Sequence, residues 1–311
     1  MLGAKDVDVK RFAYRRHIFS SSPSSDGSQF HVYRCPTVVS TLWATWRLMP
    51  CFLRLKVYQC LMYFGQATSS TRVTRLPFGL YAKHGCNTSV IEALATQYVS
   101  ANTTIPVPTI LDVLLDSVGT PLILMTRIQG TPLCDMPLTA NELSDARLST
   151  FTSTMAEWLA QLRQLGPPPS GLAVCGFMGT PFMSYRIDHS ACVGPFSSSD
   201  EFHSQYYCTV PPEADPDIRA LAKRVREKPC RVCFSHGDIS PSNILVDEDY
   251  LPVGLVDWGC AAWMPEYWEL TSSIYCRQRY AGWVRIFKAA LPQYEEELAV
   301  EMELWNFVMP W

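Results

Sequence analysis

The sequence predicts an α+β protein with two lobes: a small antiparallel sheet with one helix, a short connector, and a larger, mainly helical lobe that carries one β-hairpin. Three observations support that expectation. Strand-like segments and turn signals crowd residues 71–126, a helical period then runs from Leu148 to Leu165, and a strand-turn-strand pattern reappears alone over Asn243–Val256.

The bulk composition fits a globular chain. Of 311 residues, 48% are hydrophobic and 18% charged, below the usual quarter, and a chain of this length buries about three quarters of its unfolded surface. A net charge of -3 gives no broad attraction to nucleic acid or anionic membranes, so any phosphate handling is local. Twelve cysteines are scattered without a secretory leader pattern, which suggests reduced thiols and a cytoplasmic protein. Cys230-Arg-Val-Cys233 has zinc spacing but no second pair to complete four ligands, and reads better as a strand delivering Phe234 to a loop. Thr37–Phe64 is the most apolar stretch. Arg47, Pro50, Arg54 and Lys56 interrupt it, so no transmembrane segment is expected there.

Taken in order, the serine-rich tract Phe19–Ser28 closes a flexible segment over 1–28, and a helical extension is expected over 29–64. The sheet-bearing lobe then spans 65–128. Thr71–Leu76 and Gly79–Lys83 read as strands around a Pro77-Phe78 turn, and Ser89–Ser100 reads as a helix with Ile91, Leu94 and Tyr98 on one face. Ile105–Pro108 is extended chain, and Pro121–Thr126 is a buried strand leading to Gly130. The second lobe covers 129–311. Thr139-Ala-Asn-Glu142 forms a capping-box pattern ahead of the long helix, which Gly166 and three prolines stop.

The hairpin holds the chemistry. Asn243–Val246 and Val253–Val256 are its strands, with Asp247–Tyr250 as the turn, and pairing centred near Tyr250 sets Asn243 opposite Asp257. Facing residues on neighbouring strands lie roughly 5 Å apart, so an amide oxygen and a carboxylate there can grip one divalent cation. Asp238, five residues before Asn243, adds a separate carboxylate on the loop leading in.

These residues resemble a known family. His236-Gly-Asp238, the step to Asn243 and Leu255-Val-Asp-Trp-Gly259 are similar to the signature of aminoglycoside phosphotransferases, relatives of choline kinases with a protein kinase-like fold. Arg75–Lys83, the EALATQYV run and Pro265-Glu-Tyr-Trp-Glu269 resemble the fungal branch of that family. The resemblance implies ATP and Mg2+ as cosubstrates and a small-molecule hydroxyl as acceptor. By the same resemblance Asp238 is the catalytic base, Asn243 and Asp257 hold Mg2+, Lys83 steadies the α- and β-phosphates with Glu92 positioning it, and Thr126, Arg127 and Ile128 border the adenine.

Plainer readings compete with each role. Asp238 is a solvated turn acid, Asn243 a turn cap, Lys83 a surface lysine, and Glu92 half of a Ser89-Val-Ile-Glu92 capping box. His236 reads as a structural hydrogen-bonding residue. Trp263, Tyr267, Trp268 and Glu269 either line the acceptor side of the cleft or pack the helical lobe. The five glutamates from Glu295 to Glu303 form a solvated face or attract a cationic acceptor. Two features depart from the family pattern: Gly65–Ser70 stands where a glycine-rich phosphate loop belongs, with a single glycine, and Gly259 replaces an acid. These departures keep open an alternative, a kinase-fold nucleotide-binding or scaffold protein with weak or no catalysis.

Overall fold

The computed structural model describes residues 43–86, 88–206, 213–275 and 277–307, all within a compact unit spanning 34–311. The flexible segment expected over 1–28, the first residues of the extension expected over 29–64, and the chain end at Pro310-Trp311 lie outside the described residues.

Helix α1 (Cys51–Tyr63) starts after Pro50, whose fixed φ suits a helix entry. It lies on an antiparallel sheet of β1 (Gln66–Ala67), β2 (Val73–Leu76), β3 (Leu80–His84), β4 (Ile110–Leu115) and β5 (Pro121–Thr126), in the order β1-β2-β3-β5-β4. Side-chain alternation divides the strands between two layers. Leu76, Ala82, Leu114, Leu122 and Leu124 pack with Tyr58 of α1, while Ile110 and Ile123 turn to the opposite face and meet Ala93. Arg54 and Tyr58 of α1 both reach the buried carboxylate of Asp112 on β4, the tyrosine hydroxyl donating at 2.9 Å. The sequence reading omits β4, because Pro106 and Pro108 suggest that unpaired extended chain continues. In the fold the ladder begins two residues later, at Ile110 on the sheet edge.

Ser89 caps α2 (Val90–Asn102) by accepting the Ile91 N–H at 3.0 Å, satisfying one orphan donor of the first turn. Ala93 faces the sheet, while Ala95 and Val99 enter the larger core of the helical lobe. The same helix therefore belongs to both lobes. Thr126–Gly130 connects them, and a second link is the Leu255 N–H donating to the Pro106 carbonyl at 2.9 Å. Gly130 is required where the connector passes Val253: a Cβ there would lie 2.7 Å from Val253 Cγ2, and its φ is +152°.

The helical lobe continues with β6 (Thr131–Pro132) and α3 (Asp145–Arg163). The capping-box expectation at Thr139 is corrected. Glu142 accepts the Thr139 N–H and hydroxyl at 2.8 Å, but the pair closes a separate turn, and the helix begins at Ser144, whose hydroxyl accepts the Arg147 N–H. Phe151, Met155, Trp158 and Leu162 carry the long apolar stripe into the core.

Next come β7 (Cys175–Gly176), β8 (Phe182–Ser184), β9 (Asp188–Val193), α4 (Ser199–Tyr206) and α5 (Pro216–Glu227). Then follow β10 (Val232–Ser235), β11 (Ile244–Val246), β12 (Pro252–Leu255), β13 (Ala262–Pro265), α6 (Trp268–Ile274), α7 (Ala281–Ala290) and α8 (Glu295–Phe307). Three small sheets result: β10-β13-β7, β12-β11-β6 and β8-β9. Strand β10 delivers the buried Phe234 toward the loop that follows, as its sequence suggests. Burial pushes the Cys230 and Cys233 thiols up to about 11, so both stay protonated. Among the described residues no group of three or more His, Cys, Asp or Glu side chains could hold a metal ion, and their nine cysteines are all free thiols. Nor is any described helix long and apolar enough to cross a membrane.

The expectation of a solvated glutamate face is corrected in part: Glu295 is exposed, whereas Glu297 and Glu301 are buried. Glu296 receives Arg224 at 3.0 Å and Lys228 at 2.5 Å, while Glu301 is fully buried against Arg186 at 2.8 Å. The face of α8 is thus largely engaged with cations of this same chain.

Candidate active site

Three chain segments meet in the cleft between the lobes: β3 with α2, the loop between β10 and β11, and the residues after β12. Lys83 points from β3 and is almost fully buried, with Nζ 2.6 Å from Glu92 Oε1 and 2.8 Å from Asp257 Oδ1. Burial alone lowers a lysine pKa. Here the two carboxylates outweigh it and raise Lys83, so its charge is secure. The same contacts, led by Lys83 and aided by Arg72, hold Asp257 low against its own burial. Burial pushes the Glu92 carboxyl up while Lys83 opposes. In the capping-box reading Glu92 turns back to the helix start; instead its side chain joins the lysine.

Asp257 has a left-handed backbone, φ 66° and ψ 66°, just past the end of β12. A non-glycine residue there is uncommon, and the conformation turns the carboxylate out of the strand direction toward Lys83. Asn243 is buried at the foot of β11, where its Nδ2 donates to the Asp238 carbonyl at 2.8 Å and to Asp238 Oδ2 at 3.1 Å. Burial pushes Asp238 up to about 6, although Arg277 draws it down.

The expected hairpin register needs correcting. Ile244 pairs with Leu255 and Leu245 with Gly254, after which a bulge sets Val246 against Pro252. Asn243 therefore faces Val256, whose N–H donates to the Asn243 carbonyl at 3.0 Å, and Asp257 lies one residue beyond. A bulge adds one residue to one strand and shifts every pair past it.

His236 has a structural place. Its Nε2 donates to the Val256 carbonyl at 3.0 Å, which leaves Nδ1 to accept the Asp238 N–H at 3.2 Å. Burial pulls its pKa down to about 4, so the ring is neutral in this bridge. Gly237 carries φ +80°, and a Cβ there would stand 2.5 Å from the Cys260 carbonyl oxygen, a space no side chain can enter.

Sequence reasoning missed what supports this loop. The Glu269 carboxylate accepts the His236 N–H at 2.5 Å and the Gly237 N–H at 3.1 Å. Its position in the PEYWE run was visible, but its role was not. With Trp263, Tyr267 and Trp268 it is buried, so this group packs the helical lobe: Trp263 stacks on Phe177 at 5.9 Å, and Trp268 meets Phe202 edge-on. Arg72 was also missed; its Nη2 lies 3.9 Å from Asp257 Oδ2.

On the connector, Thr126 N–H donates to Thr109 O at 3.0 Å and Arg127 N–H to Gly79 O at 2.8 Å. Within the 126–128 stretch, only Ile128 keeps a backbone N–H with no backbone partner among the described residues. The β1-β2 turn is closed on itself too, with the Thr68 hydroxyl proton shared between the Ser70 and Val73 carbonyls.

The donors present fit a magnesium-bound nucleotide. Asn243 turns its amide nitrogen to Asp238, leaving Oδ1 with only a long 3.4 Å contact from the Ser242 hydroxyl, and Asp257 offers Oδ2, which Lys83 does not bond. Such a hard-oxygen pair suits a cation that keeps waters and phosphate oxygens in its shell, rather than one held in a complete protein cage. A Cβ at Gly259 would make only ordinary van der Waals contact, 3.4 Å from Asp257 Oδ1 and 3.8 Å from Glu92 Oε2.

A family model described as "Phosphotransferase enzyme family" matches residues 89–300. Among solved structures, the crystal structure of aminoglycoside phosphotransferase APH(4)-Ia shares 16% identity over 80% of this chain and 88% of its own, with a TM-score of 0.51. The GDP and kanamycin complex of APH(2")-IIia shares 14% over 80% and 87%, at 0.50. A ternary complex of an APH(4)-Ia variant with AMP-PNP and hygromycin B shares 15% over 76% and 81%, also at 0.50. At these identities the likeness concerns the fold. No curated protein sequence matches the chain.

Proposed function

The chain belongs to the phosphotransferase enzyme family, and we propose that it transfers the γ-phosphoryl group of ATP, with Mg2+, to a hydroxyl of a small-molecule acceptor. The observation that carries this reading is the buried Lys83 held between Glu92 and Asp257, with Asp238 and Asn243 joined on the adjacent loop. Structural evolution toward packing alone does not call for a lysine buried in the cleft between two carboxylates, since burying charge is costly.

In this proposal Asn243 and Asp257 hold the metal, which would neutralise phosphate charge when bound. Lys83 binds the α- and β-phosphates, and Glu92 fixes the direction of its ammonium group. Asp238 accepts the acceptor's hydroxyl proton, or orients that hydroxyl, from a loop whose backbone is pinned by His236 and Glu269. Thr126, Arg127 and Ile128 border the adenine, with the Ile128 N–H as the main-chain donor and the other two residues contributing carbonyl and surface.

AMP-PNP, GDP, hygromycin B and kanamycin are bound by the neighbouring structures; for this chain a nucleotide and a hydroxylated small molecule are the proposed partners. ADP release across a panel of small alcohols, amino sugars and choline-like compounds tests the reaction. Turnover that survives Asp238→Asn contradicts the mechanism. The closed β1-β2 turn supports a second reading, a nucleotide-binding protein without transfer. Stabilisation by Mg2+-ATP with no ADP release from any acceptor favours that alternative.

A further inference from the structure

The segment that leads to Arg72, whose side chain lies near Asp257, contains no glycine from Gln66 to Arg72. Its polar groups hold the turn instead of facing outward. The single Thr68 hydroxyl proton is shared between the Ser70 and Val73 carbonyls, and its oxygen accepts the Ser70 N–H at 3.2 Å, while Ser70 accepts the Arg72 N–H on its hydroxyl and the Val73 N–H on its carbonyl. A cradle of backbone N–H groups needs those donors turned toward the phosphates. Here several are already engaged.

One cation belongs to this turn. Arg72 is rooted by its carbonyl, which accepts the His84 N–H at 2.9 Å, so its backbone is tied to the end of the strand that carries Lys83. Its guanidinium reaches to 3.9 Å from Asp257 Oδ2, the oxygen that Lys83 does not hold, and the side chain is 28% exposed. That distance is an ion pair without a hydrogen bond. The guanidinium thus faces the cleft, attracted to Asp257 but not locked to it.

We propose that Arg72 is a ligand of the nucleotide's terminal phosphates and takes the part that a glycine-rich backbone would otherwise play. A planar fork of N–H donors matches phosphate oxygens in pairs, which a lysine's point charge does not. The proposal rests on the nucleotide-binding reading above.

Calorimetric titration of the full chain with ATP, ADP and adenosine in Mg2+ tests it. Arg72→Ala is expected to weaken ATP and ADP at least about tenfold, with adenosine affinity and the ligand-free thermal midpoint unchanged; Arg72→Lys recovers only part of the loss. Arg75→Ala, on the next strand of the same hairpin, is expected to bind ATP as the wild type does. If Arg72→Ala binds ATP like the wild type while Lys83→Met is weakened, the assignment of Arg72 fails and the site survives. Should the wild type bind neither ATP nor ADP, both readings fall.

Discussion

Glu269 accepts the backbone N–H of Gly237 at 3.1 Å, one residue before Asp238, so a carboxylate buried in the helical lobe supports the loop that carries the proposed base. Glu269→Gln replaces one acceptor oxygen with an amide that faces an N–H. An unmet buried donor costs about 1–3 kcal/mol. Stability should fall by that amount in urea titration, and kcat should drop more than nucleotide KM changes, because the base is displaced while the lysine side is untouched. Equal loss in both constants would contradict this division.

The lysine side gives the converse expectation. Glu92→Gln keeps the shape but removes one of the two charges that hold Lys83. ATP affinity should fall several-fold to about tenfold, as one charge-assisted contact is lost, with adenosine affinity unchanged. A variant that binds ATP as the wild type does would show that Asp257 alone orients the lysine.

Asp112 is the anchor between α1 and the sheet, bound by Arg54 and the Tyr58 hydroxyl. Asp112→Ala leaves a buried guanidinium without its partner, which costs about 3–5 kcal/mol. The loss should appear as a lower urea midpoint. Replacing Arg54 and Asp112 together with apolar residues should be less harmful than Asp112→Ala alone, because no orphan charge remains.

His203 reports on acid stability. It is buried beside the Tyr267 hydroxyl, and burial pulls its pKa down to about 4, with Arg226 acting in the same direction and Asp200 opposing. The unfolded chain takes up a proton near pH 6.5 that the folded chain refuses until about pH 4. Wild-type stability attributable to this group is therefore complete above about pH 6.5 and falls through that window as pH decreases, by about 3 kcal/mol in all. His203→Gln removes the effect. The difference in thermal midpoint between wild type and variant should shrink from about pH 7.5 to about pH 4.5, and a constant difference would contradict the assignment.

Much of this was legible in the chain because short-range chemistry decided it. The hairpin, the helix from Ser89 and the position of Lys83 follow from turn residues, capping and alternation. What stayed hidden depends on long-range placement. The turn is centred on Asp249 rather than Tyr250, and the bulge between Leu245 and Val246 recovers only one residue, so Asn243 ends opposite Val256; nothing in the two short strands announces this. Thr139 and Glu142 satisfy the capping-box pattern, yet the turn they close ends before the helix starts at Ser144. Glu269 reads in sequence as lining or packing the cleft, and Glu301 as part of a solvated face. Only the packing of α6 and α8 shows that one supports a loop and the other balances a buried arginine.

The bond from Leu255 to Pro106 also bears on how the cleft opens. With the 126–130 connector and α2, whose residues enter both cores, it is one of several ties between the two halves, and Lys83 adds another by bonding Asp257. Any widening of the cleft has to strain these ties together. The 3.9 Å pair between Arg72 and Asp257 is the longest and most exposed of these links, so it is the first to part when the halves separate.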